Sequence, residues 1–162
     1  VKTSIKNSSC TLPKRSSGFT LIELMVTIAV LAIIVSIAAP NISNQLANQR
    51  VKSTTATLHN TLKEARVESV IRRQAITVSY NNAGSPKSII IKDADGQSIA
   101  SYNYDDKSII KSKDGSNIIF YSNKTANEKT YIICDSNTAA SPRQISVSKL
   151  GNITNQIAGS CL

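Results

Sequence analysis

Glu23 is the residue whose position most needs a chemical reason. It stands five residues into an apolar stretch that opens at Phe19, and the sixteen residues after it, Leu24 to Ala39, carry no charge. A charged group at the centre of hydrocarbon costs on the order of 2.5–3.5 kcal/mol on insertion scales, so a carboxylate there needs a partner. At the level of the lipid headgroups, near a helix end, it needs none. The pair Lys14-Arg15 and the small residues Ser16-Ser17-Gly18 stand directly before the run.

Other residues capable of chemistry are few. Of three cysteines, Cys10 precedes the apolar run, leaving Cys134 and Cys161 late in the chain. In an exported chain such a pair reads as a disulfide, the alternative being two separate buried thiols. A bridge there stabilises by roughly 3–4 kcal/mol in the chain-entropy account. Glu64 and Glu68 lie one helical turn apart, with Arg66, Arg72 and Arg73 close by. A catalytic carboxylate pair is conceivable, but surface charge patterning at i, i+4 is far commoner. His59 is the only histidine, and no metal or triad partners accompany it. Asp93-Ala94-Asp95-Gly96 begins like a calcium loop yet lacks the acid at its far end, so a hairpin turn is expected. There is no glycine-rich phosphate loop and no activated nucleophile. No enzyme, cofactor or metal site is expected.

The elements that position these residues divide the chain in two. Phe19 to Ala39 supplies about the 20 apolar residues a membrane-spanning helix needs. Lys14-Arg15 hold its start in the cytoplasm by the positive-inside rule, which places the remainder outside. An ordinary secretory signal cut near Ser36-Ile37-Ala38-Ala39 is the competing reading, but such a signal has no use for Glu23. Pro40 lacks the N–H that would bond back to Ser36 and should kink or loosen the helix. Beyond it, Val51, Leu58 and Ala65 recur every seven residues, with Thr55, Leu62 and Ser69 on the same face. Asn44, Gln45, Asn48, Gln49, Lys52 and Lys63 occupy the other sides. One long helix is expected from about Thr20 to Gln74, bent at Pro40.

From Ala75 the texture changes to β-branched runs separated by turn formers. Six strands are predicted, at 76–80, 88–92, 98–102, 117–121, 130–134 and 144–148. The fold class is α+β: a long N-terminal helix, membrane-spanning in its first half, packed on a C-terminal antiparallel β head. The expected divisions are 1–18, 19–39, 40–74 and 75–162. The formal charge is +9, of which Lys2, Lys6, Lys14 and Arg15 contribute four, leaving 15 basic against 10 acidic residues from Phe19 onward, or +5. A moderately basic surface suits nucleic acid, anionic lipid or acidic protein alike.

Gly18-Phe19-Thr20-Leu21-Ile22-Glu23-Leu24-Met25-Val26 resembles the recognition motif of prepilin peptidases in type IV pilins and type II secretion pseudopilins. The resemblance implies a cleaved leader, residues 1–18, a cut between Gly18 and Phe19, and N-methylation of Phe19. It also implies that Glu23 pairs with the α-amino group of Phe19 on an adjacent subunit, and that Pro40 occupies the family's proline position. The order of elements, the late cysteine pair and the run from Tyr131 to Gly151 are similar to the GspH/FimT group of minor pilins and pseudopilins. Membership implies an inner-membrane protein with a single pass and a periplasmic head. Its partners would be other pilin or pseudopilin subunits and the prepilin peptidase, and its destination a type IV pilus or the pseudopilus of a type II secretion system. Some members of the group bind DNA through basic residues near the C-terminus, which points to Arg143 and Lys149. Asn152 stands where many members have an arginine.

Overall fold

Apolar and small residues recurring every three or four positions give the helix one buried stripe, and alternation at every second position gives the strands theirs. A computed structural model describes residues 18–115 and 117–161, without the side chains of residues 38–40. The leader residues 1–17, with Lys14, Arg15 and Cys10, lie outside the described residues, as does the ring of Pro40. Helix α1 is Leu21–Ile71. The chain divides into two compact units, one ending at Ala38 and the other beginning at Ala39.

In the first unit the helix keeps its apolar side chains exposed among the described residues. Every large apolar side chain from Phe19 to Ile37 is more than half exposed. Among the described residues no single helix is long and apolar enough to cross a membrane, but Leu21–Ile37 and Asn41–Ile71 reach that length and composition together.

Among the described residues the second unit builds eight strands after its helical part, all paired antiparallel: β1 Ile76–Asn81, β2 Lys87–Lys92, β3 Ser98–Tyr104, β4 Ser108–Ser112, β5 Ile118–Phe120, β6 Lys129–Asp135, β7 Arg143–Val147 and β8 Ile153–Ile157. They form two four-stranded sheets, ordered β3-β2-β1-β5 and β4-β6-β7-β8. The pilin-like α+β arrangement holds, with two strands more than the sequence predicts. The helix ends three residues earlier than expected, because Arg73 takes the left-handed conformation (φ 55°) that terminates helices.

One core joins all three layers. The expected helical stripe is buried throughout: Val51, Thr55, Leu58, Leu62, Ala65 and Ser69. Ile76, Val78, Ile89 and Phe120 meet it from the first sheet, and Ile110, Tyr131, Ile133 and Ile145 from the second. Asn82 stitches the sheets together: its amide donates to the Ile110 carbonyl at 2.8 Å and accepts the Ile110 N–H at 3.1 Å. That side chain closes the outer edge of β4.

Candidate functional site

Thr20 and Glu23 form the start of α1. The Glu23 N–H donates to Thr20 Oγ1 at 3.3 Å, and the Leu24 N–H donates to the Thr20 carbonyl at 3.2 Å. The spacing Thr-x-x-Glu is that of a capping box, and a carboxylate in the first turn complements the helix dipole. This signal was readable in the sequence, and the bond observed is that of the Glu23 backbone N–H to Thr20. Gly18 and Phe19 lie exposed just before the helix, and a Cβ built on Gly18 meets nothing within 4 Å. Thr27 Oγ1 and Ser36 Oγ donate to the carbonyls of Leu24 and Ile33 at 2.8 and 2.7 Å. Both hydroxyls are thus satisfied by their own helix, as an apolar surrounding requires.

The second unit holds its helix with polar anchors that lie off the apolar stripe. Arg50 Nε and Nη2 donate to the two Asp135 carboxylate oxygens at 2.8 and 2.9 Å, with the Asp135 side chain fully buried. The guanidinium holds the Asp135 carboxyl below the usual carboxylate range, against the opposing effect of burial, and the Asn137 N–H adds to it. Asn137 Nδ2 donates to Asn44 Oδ1 at 3.1 Å, and the Ser141 N–H donates to Asn48 Oδ1 at 2.8 Å. Asn44, Asn48 and Arg50 thereby fix the segment from Asp135 to Ser141. Cys134 and Cys161 are joined by a disulfide with Cα atoms 6.1 Å apart. The bond holds the C-terminal segment on the outer face of β6, where Ile132, Cys134 and Ala158 form a small apolar cluster.

Arg143 and Lys149 are not brought together. Arg143 opens β7, and Lys149 lies exposed in the turn after it. Six residues of extended chain separate them by roughly 20 Å. The backbone at Lys149 instead lies in a turn that also meets the Lys124 backbone and the Arg66 side chain. Its carbonyl accepts the Ala126 N–H at 3.0 Å, and Arg66 Nη2 donates to the neighbouring Leu150 carbonyl at 3.4 Å. Gly151 (φ 69°) packs so tightly here that a Cβ would stand 2.5 Å from the Lys124 carbonyl and 3.1 Å from Arg66 Nε. Arg66, Lys124 and Lys149 thus converge on one turn. Asn152 lies beside them, exposed, its N–H donating to Ser148 Oγ at 3.2 Å.

The remaining sequence candidates have structural partners. Asp93 Oδ1 accepts the N–H groups of Asp95 and Gln97 at 3.1 and 2.7 Å, making the hairpin turn between β2 and β3. Glu64 accepts a hydrogen bond from the Tyr102 hydroxyl at 2.7 Å, tying α1 to the edge strand β3, while Glu68 pairs with Arg72. His59 is half-buried, and burial, with Lys63 nearby, lowers its pKa. No group of three or more His, Cys, Asp or Glu among the described residues is arranged to hold a metal. Lys129, buried, donates to the carbonyls of Asp114, Gly115 and Asn117 at 2.8, 3.1 and 2.7 Å, and burial lowers its pKa. Its ammonium closes the loop between β4 and β5.

Comparison with known proteins agrees with this picture. Residues 13–39 match the prokaryotic N-terminal methylation motif. Among curated proteins no sequence matches. Two crystal forms of the type IV minor pilin FimU of Pseudomonas aeruginosa are similar to the chain at 24% identity. Their TM-scores are 0.58 and 0.60, covering 68% and 70% of this chain and 99% and 96% of theirs. The minor pseudopilin EpsH from the Type 2 Secretion System of Vibrio cholerae is similar at 10% identity and a TM-score of 0.56, over 68% of this chain and 99% of its own. At these identities the likeness is one of fold.

Proposed function

We propose that this chain, which joins a prokaryotic N-terminal methylation motif to a pilin-like fold, is a minor type IV pilin of the GspH/FimT kind. A prepilin peptidase cuts between Gly18 and Phe19 and methylates Phe19. The protein then waits in the inner membrane as a single pass with its head in the periplasm, and enters or initiates a pilus alongside other pilin subunits. The role is structural and uses no catalytic residue or cofactor.

The observation that carries this reading is the motif, residues 13–39, coinciding with a helical stretch whose large apolar side chains are all more than half exposed as far as Ile37. Such a helix suits lipid before assembly and neighbouring helices after it. In that setting Glu23 meets the Phe19 α-amino group of an adjacent subunit, and Pro40 marks where the helix leaves the membrane. Mass spectrometry of the membrane-extracted protein should find methylated Phe19 at the N-terminus. Glu23→Ala should be processed normally and be missing from sheared pili, whereas Gly18→Ala should accumulate as precursor. Normal incorporation of the Glu23 variant would remove the assembly role. A minor pseudopilin of a type II secretion system would share processing, helix and fold, and EpsH is named as one. Deletion separates the two: loss of twitching marks a pilus, loss of protein secretion a pseudopilus.

DNA binding is a second reading, supported by the convergence of Arg66, Lys124 and Lys149 on the β7–β8 turn. Phosphate contacts need only such a cluster, and affinity should fall steeply with salt. The full chain in detergent should retard duplex DNA, and Lys124→Ala with Lys149→Ala should abolish the shift while Arg143→Ala leaves it nearly intact. Equal retardation by all three proteins would exclude this turn.

A further inference from the structure

Arg143, set apart from Lys149, faces a different cation. With Lys52 of α1 it lines a cleft of about 330 Å3 whose walls include Gln45, Asn48, Gln49 and Ser141. The four helical residues fall at i, i+3, i+4 and i+7 and so form one stripe. The bond from the Ser141 N–H to Asn48 Oδ1 sets the start of β7 against that stripe. The ion pairs among the described residues engage Arg50 and Arg72, and neither Lys52 nor Arg143. No carboxylate lines the cleft. An ammonium, a guanidinium and side-chain amides converging on an open space select an anion with several oxygens, and a guanidinium fits phosphate with two parallel bonds.

The surroundings identify the source of that phosphate. Ile157 lines the cleft and is 72% exposed. On the helix, Ile42 and Leu46 are each more than half exposed and lie one turn from Gln45 and Gln49. The stripe starts eight residues along the chain from Ile37, the last large apolar residue of the bare helix. Cations beside exposed aliphatic side chains are the chemistry of the lipid headgroup boundary. We propose that this cleft binds the phosphate of an anionic phospholipid at the membrane surface from which the head emerges. The proposal rests on the membrane-anchored reading above. Bound there, the lipid holds the subunit upright before assembly and must be released when the subunit enters a filament.

The test uses the full chain reconstituted in phosphatidylcholine nanodiscs doped with phosphatidylglycerol, with retained lipids counted by native mass spectrometry. Phosphatidylglycerol should be retained in preference to phosphatidylcholine. Each cation near an anionic surface contributes about fivefold, so Lys52→Gln with Arg143→Gln should reduce that preference on the order of tenfold or more. Lys52→Arg with Arg143→Lys keeps both charges and should keep the preference. Lys63→Gln with Lys113→Gln removes the same charge elsewhere and should leave it unchanged. Inorganic phosphate should not displace the lipid, and displacement at equal affinity would overturn the lipid assignment in favour of a free anion. A chain that inserts without preferring phosphatidylglycerol, or whose preference survives the double Gln variant, overturns the proposal alone. A chain that stays out of the discs overturns the anchoring reading with it.

Discussion

Isoleucine occupies opposite environments in the two units. Ile28, Ile33, Ile34 and Ile37 are 57%, 64%, 57% and 68% exposed, whereas Ile76, Ile89, Ile91 and Ile110 are fully buried. The same side chain completes a core in one unit and covers nothing in the other. The second unit thus gains its stability from burial within the chain. Among the described residues the first has its backbone hydrogen bonds, its cap and its internally bonded hydroxyls. Contiguous exposed apolar surface of this extent marks a membrane or protein contact, and the methylation motif at its start agrees.

The largest expected effect comes from making the same truncation in both units. Leu58 is buried in the core, and Leu58→Ala should destabilise the head by about 2–5 kcal/mol. Leu31 is 57% exposed, and Leu31→Ala should leave head unfolding unchanged while weakening retention in membranes. Circular dichroism during thermal unfolding of the full chain in detergent measures the first, and carbonate extraction of membranes the second. Equal losses of thermal stability would abolish the distinction between the units.

Sequence and structure agree where burial is periodic and part company where it is not. The helical stripe from Val51 to Ser69 was legible because six positions at three- and four-residue steps all face the core. β4 was missed because Ile109 and Ile110 are flanked by Lys107 and Lys111, so the run reads as a charged connection. β8 was missed because it is an edge strand exposed at nearly every position, and Thr154-Asn155-Gln156 look like loop residues. The helix end was misplaced because an arginine, not a glycine, adopts the left-handed terminating conformation. The methylation motif over residues 13–39 was legible because it lies in one continuous stretch of chain. The candidate site was not legible where distant segments meet: nothing in the spacing joins Arg50 to Asp135, Lys52 to Arg143, or Arg66 and Lys124 to Lys149.

Acid should act on the second unit through two groups. Asp135 is depressed in the folded state, chiefly by Arg50, so below the ordinary carboxylate range, about pH 4, the unfolded chain takes up its proton first. Its contribution is complete above that pH and is lost as pH falls through the folded pKa. His59 is also depressed, by burial, so its neutral form favours folding and that contribution fades as pH falls from about 6.5. Thermal unfolding of the full chain from neutral to acid pH should therefore show one decline below about pH 6.5 and a second below about pH 4. His59→Gln should flatten the first and Asp135→Asn the second, and an unchanged acid limb in the Asp135 variant would show that other carboxylates govern it.

The smallest effect is also the one that separates two roles for Glu23. Thr20→Ala removes the oxygen that accepts the Glu23 N–H, at a cost of about 1 kcal/mol confined to the first turn. Amide exchange at Ile22, Glu23 and Leu24 should quicken while unfolding of the head stays unchanged. If Glu23 acts between subunits, Thr20→Ala should still be processed and incorporated, because the carboxylate remains available to a neighbouring α-amino group. If it acts only as part of the cap, Thr20→Ala and Glu23→Ala should fail together. Incorporation measured side by side for the two variants therefore distinguishes a carboxylate that completes its own helix from one that completes the next subunit's.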